Sequence, residues 1–219
     1  MKTHPKPLAP AFTLVEMMVA IAIVVVLAAL LLPAYKSIYE KADRTRCASN
    51  LKTLSGAAIQ YSSDHDFLYL PPILNGFQQQ WMFNTDFLSY LGAGPATNVA
   101  QLPKIFLCPT AKKKGSKAGI NYGMNVTGLG IPASVPAGYT PNTKLVKRPS
   151  QKIMIIDALD WWVMSDRAAN YTSGEAGAVF TPAFRHGQGA NAAFFDGHVE
   201  HLSQSQLITN KALWDISAN

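Results

Sequence analysis

An apolar run near the start of the chain limits what this sequence can fold into. From Phe12 to Leu32 every residue is apolar except Thr13 and Glu16. Roughly 20 such residues form a helix long enough to cross about 30 Å of hydrocarbon. The sequence therefore predicts one transmembrane helix, with Glu16 as an acid close to its start.

The composition of the whole chain is that of a folded protein. With 219 residues, 48% of them hydrophobic, the chain has room for one ordinary domain and an appended segment. The formal charge of +6 includes Lys2 and Lys6, so the part beyond the apolar run is only mildly basic. This charge alone does not predict nucleic-acid binding.

A secretory signal peptide is the alternative explanation of the N-terminus. Against it, the apolar run exceeds the usual length of about 7–15 residues, and a small-residue cleavage pattern is indistinct. Helix-forming residues also continue beyond Pro33, which a cleaved signal does not need. We predict a helix over residues 12–63, of which about 12–34 cross the membrane and 35–63 are amphipathic.

The amphipathic part has two different faces. One stripe has residues at alternating spacings of four and three: Cys47, Leu51, Leu54, Ala58 and Tyr61. Tyr35, Ile38 and Ala42 lie on roughly the opposite side. We expect the stripe to pack on the globular part and the opposite side to face another partner. Pro33 lacks an N–H and is expected to kink or locally open the helix.

Residues 11–35 read A-F-T-L-V-E-M-M-V-A-I-A-I-V-V-V-L-A-A-L-L-L-P-A-Y. This string resembles the N-terminal signature of type IV pilins and of the pseudopilins of type II secretion. The resemblance implies that residues 1–11 are a leader, that prepilin peptidase cuts between Ala11 and Phe12, and that Phe12 is then N-methylated. Glu16 becomes the family glutamate at the fifth mature position. Ala11 stands where the family usually has glycine, and Pro33 matches a position where many members have proline.

Glu16 also has a physical reason to be there. A lone acid at the bilayer centre costs about 2.5–3.5 kcal/mol, so a partner is expected. After cleavage the amino group of Phe12 lies about 6 Å away along the helix. The resemblance implies that Glu16 neutralises this group on a neighbouring subunit during assembly. The alternative is that Glu16 reaches the headgroups from a helix start, where the macrodipole favours an acid.

The charges that flank the apolar run favour the reverse orientation. More Lys and Arg residues follow the run than precede it: Lys36, Lys41, Arg44 and Arg46 against Lys2 and Lys6. We follow the resemblance, which implies a single-pass inner-membrane protein. Its head then lies in the periplasm or on an extracellular fibre.

Residues 64–219 are predicted to form a loop-rich α+β head with an antiparallel sheet. Pro71 and Pro72 cannot continue a helix. Short β-like runs stand at 104–108, 151–159, 178–184 and 191–202. Glycine, proline and small polar residues between these runs, as over 119–138, predict long irregular loops.

Near the C-terminus, Asp196 and Gly197 separate two alternating runs in F-F-D-G-H-V-E-H-L, which is typical of a two-residue hairpin. His186 precedes Asp196 with nine residues between them. Residues 186–197 thus resemble the H-x9-D-G motif found at the C-terminus of a large group of prepilin-like proteins. The resemblance does not define a biochemical role for the motif.

No residue set is predicted to bind a metal or cofactor. On a strand, His198 and Glu200 share one face while His201 points to the other, so they do not form a three-ligand site. The sequence does not show whether other candidates converge in space: His186, Asp157, Asp160 and Asp196. Structural calcium is the alternative, with oxygen donors at Asp157, Asp160 and Asp166.

Cys47 and Cys108 leave two alternatives open. An exported head permits a disulfide between them, which would fasten helix to head. Two buried thiols packed as small hydrophobic groups explain the same residues.

The predicted function is a structural subunit of a type IV pilus or a type II secretion pseudopilus, forming a homo-oligomeric fibre with other subunits. An enzyme, such as a secreted hydrolase, is disfavoured because no nucleophile-with-base motif, phosphate loop or paired catalytic carboxylate stands out. The alternative is a membrane-anchored binding module that displays its head to DNA, glycan or protein. Four lysines are the candidates for contacts with DNA phosphates: Lys112, Lys113, Lys114 and Lys117.

Overall fold

The computed structural model describes residues 13–74, 79–113, 120–128, 142–171 and 179–216. The helices are α1 (Leu14–Asp64), α2 (Thr85–Tyr90), α3 (Pro109–Lys113) and α4 (Gln204–Thr209). The strands are β1 (Ile73–Leu74), β2 (Gln79–Gln80), β3 (Tyr122–Asn125), β4 (Ile153–Asp157), β5 (Trp162–Val163), β6 (Gly189–Phe194) and β7 (Val199–Ser203). This confirms the predicted α+β fold, a long N-terminal helix followed by a head with a sheet. The chain divides into two units, with the boundary between Lys41 and Ala42 inside α1.

The first unit holds the apolar part of α1. All side chains of residues 14–32 are exposed, and the helix is long and apolar enough to cross a membrane. These features are consistent with a membrane-anchored, single-pass protein. The helix runs through Pro33 without interruption, so the predicted local opening is not observed, whereas a kink stays a prediction.

The second unit begins within α1 and contains the head. The predicted stripe is confirmed, because its five members are buried in the larger of the two cores: Cys47, Leu51, Leu54, Ala58 and Tyr61. Burial of this stripe follows from its helical spacing, since residues three and four apart lie on one face.

A five-stranded sheet forms the centre of the head, with strand order β5-β3-β4-β6-β7. Neighbouring strands are antiparallel except β3 and β5, which are parallel. Both sheet faces are covered. Tyr122 and Ile155 contribute to the core that contains the α1 stripe, whereas Ile156 and Phe194 pack in a second core with Trp214. The sheet therefore lies between two apolar layers.

Two sequence predictions of strands are wrong. Residues 104–108 form a 3-10 turn at Lys104–Phe106 followed by α3, because Pro109 is favourable at a helix start and cannot donate to a strand ladder. Within residues 179–184 the extended pairing is a single bridge between Ala158 and Pro182. Conversely, the predicted loop over 119–138 contains the buried strand β3.

Candidate functional site

The start of α1 carries the first candidate site, at Glu16. The backbone N–H and the hydroxyl of Thr13 both donate to Oε2 of Glu16, at 2.8 and 2.7 Å. The N–H of Glu16 donates back to Oγ1 of Thr13 at 3.2 Å. This reciprocal pair is a capping box, which satisfies donors that the first helical turn leaves free. Our reading of the sequence missed the role of Thr13, although the T-x-x-E spacing signals it.

Two of the predicted processing residues cannot be placed in this geometry. Ala11 and Phe12 lie outside the described residues, as does the side chain of Pro33. Cleavage between Ala11 and Phe12 and methylation of Phe12 therefore stay predictions.

A second candidate site is a buried cluster that joins distant parts of the chain. Its members are Cys47 on α1, Cys108 just before α3, Asp157 at the end of β4, and His186 in the turn before β6. Cys47 and Cys108 form a disulfide in the structure. Nε2 of His186 lies 3.5 Å from Sγ of Cys108 and 3.5 Å from Oδ2 of Asp157. No member exposes more than 4% of its surface.

Residues in and next to strands β3 and β6 form hydrogen bonds with parts of this cluster. The N–H of Cys108 donates to Oδ1 of Asn121 at 2.9 Å, and the N–H of Asn191 donates to Oδ2 of Asp157 at 2.8 Å. The buried guanidinium of Arg185 donates to the carbonyl of Asn121 at 3.1 Å. These bonds fix the backbone at Cys108 and one carboxylate oxygen of Asp157.

Tyr122 links the same region to α1. It pairs with Asp157 across β3 and β4, and burial, followed by the nearby charge of Asp157, raises the pKa of the Tyr122 hydroxyl. The hydroxyl therefore stays protonated at neutral pH. The side-chain amide of Asn50 donates to it at 3.1 Å and to the carbonyl of Leu107 at 3.2 Å.

His186 is positioned by a tight turn that our reading of the sequence did not identify. His186 and Gly189 exchange two backbone hydrogen bonds of 3.1 Å. Gly187 and Gln188 between them both have positive φ, at 58° and 61°, as in a type I′ turn. The G-Q-G string that follows His186 could have predicted this turn, because glycine readily adopts a positive φ.

The Asp196-Gly197 hairpin lies where it was predicted, between β6 and β7, but its loop is one residue longer. The N–H of Phe194 donates to the carbonyl of His198, and the N–H of Gly197 donates to the carbonyl of Phe194. The pair of Phe194 and His198 therefore closes a loop of three residues, 195–197. Gly197, at a φ of 83°, takes the left-handed position that such a three-residue loop requires.

Asp196 stabilises this turn through His198. Partial burial raises the pKa of Asp196, but hydrogen bonds from the backbone N–H and the ring of His198 outweigh it and hold the pKa below its usual range. The N–H of His198 donates to Oδ1 of Asp196 at 3.0 Å, and the ring contacts the same oxygen. Both side chains are partly exposed, so this pair organises the hairpin at the surface.

Both ends of the H-x9-D-G segment, residues 186–197, lie against residues 47–59 of α1. His186 belongs to the cluster that contains Cys47. At the other end, Nζ of Lys52 donates to the carbonyl of Gly197 at 2.7 Å. A Cβ on Gly197 would lie 3.0 Å from Cδ1 of Ile59. The β6–β7 hairpin thus lies against α1 at Gly197.

The remaining candidates do not join either site. Asp160 accepts hydrogen bonds from the backbone N–H groups of Trp161 and Phe180, and Asp166 pairs with Arg167 at 3.5 Å. In the part of the chain that the structure describes, the acids proposed for calcium are not grouped. Lys112 and Lys113 end α3, but their side chains lie outside the described residues, as do Lys114 and Lys117.

Comparison with known proteins identifies one feature. Residues 10–32 match the prokaryotic N-terminal methylation motif. No curated protein and no solved structure matches the chain significantly. The motif match supports a type IV pilin-like protein processed by prepilin peptidase, and it covers the start of α1 but none of the head.

Proposed function

We propose that this protein is a structural subunit of a type IV pilus or a type II secretion pseudopilus. The observation that supports the proposal is that the matched motif and the exposed apolar part of α1 occupy the same residues. The methylation motif at residues 10–32 overlaps the part of α1 whose side chains are all exposed. An apolar helix of this length needs a lipid or protein environment, because exposed apolar surface is unfavourable in water.

In this proposal the apolar part of α1 lies first in the lipid bilayer and then among the helices of a fibre. Prepilin peptidase first cuts the membrane-inserted precursor between Ala11 and Phe12, and Phe12 is N-methylated. The helix then leaves the bilayer and packs against the helices of other subunits in the fibre. Before assembly the protein is a single-pass inner-membrane protein with its head outside the cytoplasm.

Glu16 guides this transfer through its charge. The capping box with Thr13 holds the carboxylate at the first turn of α1. After cleavage, the free amino group would belong to Phe12, the residue directly before Thr13. In an apolar surrounding, a carboxylate and an ammonium group attract each other far more strongly than in water. A neighbouring subunit that presents its amino terminus there neutralises both charges and sets the axial position of the two helices.

The structure of the capping box permits a variant that separates charge from capping. Glu16→Gln keeps a side-chain oxygen that can accept from Thr13 but removes the negative charge, since Gln also serves in capping boxes. Glu16→Ala removes both, and Glu16→Asp keeps the charge. The variants are expressed with the assembly machinery of the native host, and sheared fibres and the alkali-resistant membrane fraction are quantified.

We expect all three variants to insert into the membrane at the wild-type level. Glu16→Gln and Glu16→Ala should both abolish fibres, and Glu16→Asp should retain some assembly. Wild-type fibre yield from Glu16→Gln would show that Glu16 acts as a helix cap alone and would refute the role in assembly.

A further inference from the structure

The buried cluster of Cys47, Cys108, Asp157 and His186 has the composition of a metal site. Two sulfur atoms, one imidazole nitrogen and one carboxylate oxygen lie within 4.8 Å of one another. They come from α1, the segment before α3, β4 and the turn before β6, so the fold alone brings them together. Sulfur and imidazole ligands in a four-ligand set suit zinc, whereas calcium takes six to eight oxygen ligands.

The distances on His186 agree with a tetrahedral arrangement. Its Nε2 lies 3.5 Å from Sγ of Cys108 and from Oδ2 of Asp157. In a tetrahedral zinc site with bonds of about 2.0–2.3 Å, neighbouring ligand atoms are roughly 3.3–3.8 Å apart. One ring nitrogen thus faces two different ligand atoms at the spacing that a shared ion would impose.

The surroundings of the cluster resemble the outer shell of a metal site. Oδ2 of Asp157 accepts from the N–H of Asn191 at 2.8 Å, and Oδ1 of Asn121 fixes the N–H of Cys108. Such contacts orient ligands and are typical around bound metals. The buried positive charge of Arg185, next to His186 in the chain, offsets the excess negative charge of two thiolates and a carboxylate around Zn²⁺.

We propose that the dithiol form of this cluster binds a structural zinc ion through four atoms: Sγ of Cys47, Sγ of Cys108, Nε2 of His186 and Oδ2 of Asp157. The two thiols lose their protons to solvent as the ion binds, and no electron is transferred. The disulfide of the structure is the two-electron oxidised form of the same cysteine pair. Zinc and disulfide therefore exclude each other at this site.

The ion would have a structural role because all four positions are filled by protein and are shielded from water. It would join α1 to the head at the place where the disulfide joins them. The folded head would have this link wherever its two cysteines stay reduced, since zinc binds thiolates and not a disulfide. This role differs from the sequence prediction, which assigned no metal ligand.

The test uses the full chain, extracted from membranes in detergent and kept reduced with a phosphine. The phosphine supplies two electrons to any disulfide and becomes a phosphine oxide with oxygen from water, while the cysteines take up two protons. Metal content is measured by mass spectrometry after extensive dialysis. We expect stoichiometric zinc in the wild type, and loss of at least nine-tenths of it in Cys47→Ser, Asp157→Asn and His186→Gln. Asp160→Asn and His198→Gln are the matched controls outside the cluster and should keep the zinc.

A second measurement does not depend on the folding of the variants. Wild-type protein stripped of metal and loaded with Co²⁺ should show the intense visible absorption of tetrahedral cobalt and a sulfur-to-cobalt charge-transfer band. Zinc should displace this spectrum and protect both cysteines from alkylation. Reduced, folded wild type without zinc, without the cobalt spectrum and with unprotected thiols would overturn the proposal, as would stoichiometric zinc in Cys47→Ser.

Discussion

Lys52 on α1 donates a 2.7 Å hydrogen bond from Nζ to the carbonyl oxygen of Gly197, at the turn between β6 and β7. The two residues are 145 positions apart in the chain. The contact joins the turn at the Asp-Gly end of residues 186–197 to α1. This turn, in which Gly197 takes a left-handed conformation, presents a backbone carbonyl oxygen to the helix that carries the head.

Lys52→Met tests this contact because it keeps the aliphatic stem and removes the donor. We expect the free energy of unfolding to fall by about 1 kcal/mol, the usual net contribution of such a hydrogen bond. Urea unfolding followed by near-ultraviolet circular dichroism measures it. Lys104→Met, at an exposed lysine in the head, is the matched control and should change little. Equal effects of the two substitutions would contradict the assigned role.

Gly123 is predicted to be intolerant of a methyl group. A Cβ there would lie 2.7 Å from the backbone carbonyl oxygen of Asp160 and 2.9 Å from Cβ of Ala158. Gly123→Ala should therefore cost about 1–3 kcal/mol of stability through overpacking. Gly56→Ala, where a Cβ meets nothing within 4 Å inside α1, should stabilise by up to about 1 kcal/mol. Thermal unfolding of both variants should shift in opposite directions, and a shared direction would refute the prediction.

His201 should make stability depend on pH. Burial, and then the nearby charge of Arg44, lower the pKa of His201 below its ordinary value of 6.5. The unfolded chain consequently binds this proton more readily than the folded chain. Stability is full above about pH 6.5 and is lost as pH falls from there through the folded-state pKa. Melting temperatures measured across this range should fall less in His201→Gln than in the wild type, and parallel curves would exclude the effect.

The link between Cys47 and Cys108 should contribute strongly to stability in zinc-free protein. The bonded residues are 61 positions apart, and the chain-entropy model assigns about 4 kcal/mol to a loop of this length. A phosphine with chelator should lower the urea midpoint of the wild type by a corresponding amount. The doubly substituted Cys47→Ser/Cys108→Ser protein should be insensitive to the reductant. A wild-type midpoint that does not move would contradict a disulfide that stabilises the head.

The sequence predicted those parts of the fold that depend on local pattern. The apolar run could be predicted because its residues are consecutive in the sequence. The buried stripe of α1 could be predicted because its residues repeat at helical spacing. The β6–β7 hairpin is visible because Asp196-Gly197 is a turn signal. Strand β3 was missed because its short Y-G-M-N segment stands among glycines and is buried by tertiary packing, which overrides local preference.

The buried cluster could not be predicted for a related reason. Its four members are separated by long stretches of chain, without the close ligand spacing that marks zinc sites in sequences. His186 and Asp157 were considered together, but with Asp160 and Asp196 instead of the cysteines. The carboxylate of Asp160 instead accepts a hydrogen bond from the N–H of Trp161, and only the folded structure shows this contact.

The intact mass of the mature protein, extracted from the membranes of its native host, tests the central claim most directly. We predict a chain that begins at Phe12 and carries one added methyl group on its amino terminus. A fragment spectrum should place that methyl group on Phe12, beside the Thr13–Glu16 capping box. A mature chain that begins beyond Leu32 would instead establish a cleaved signal peptide and contradict assembly through α1.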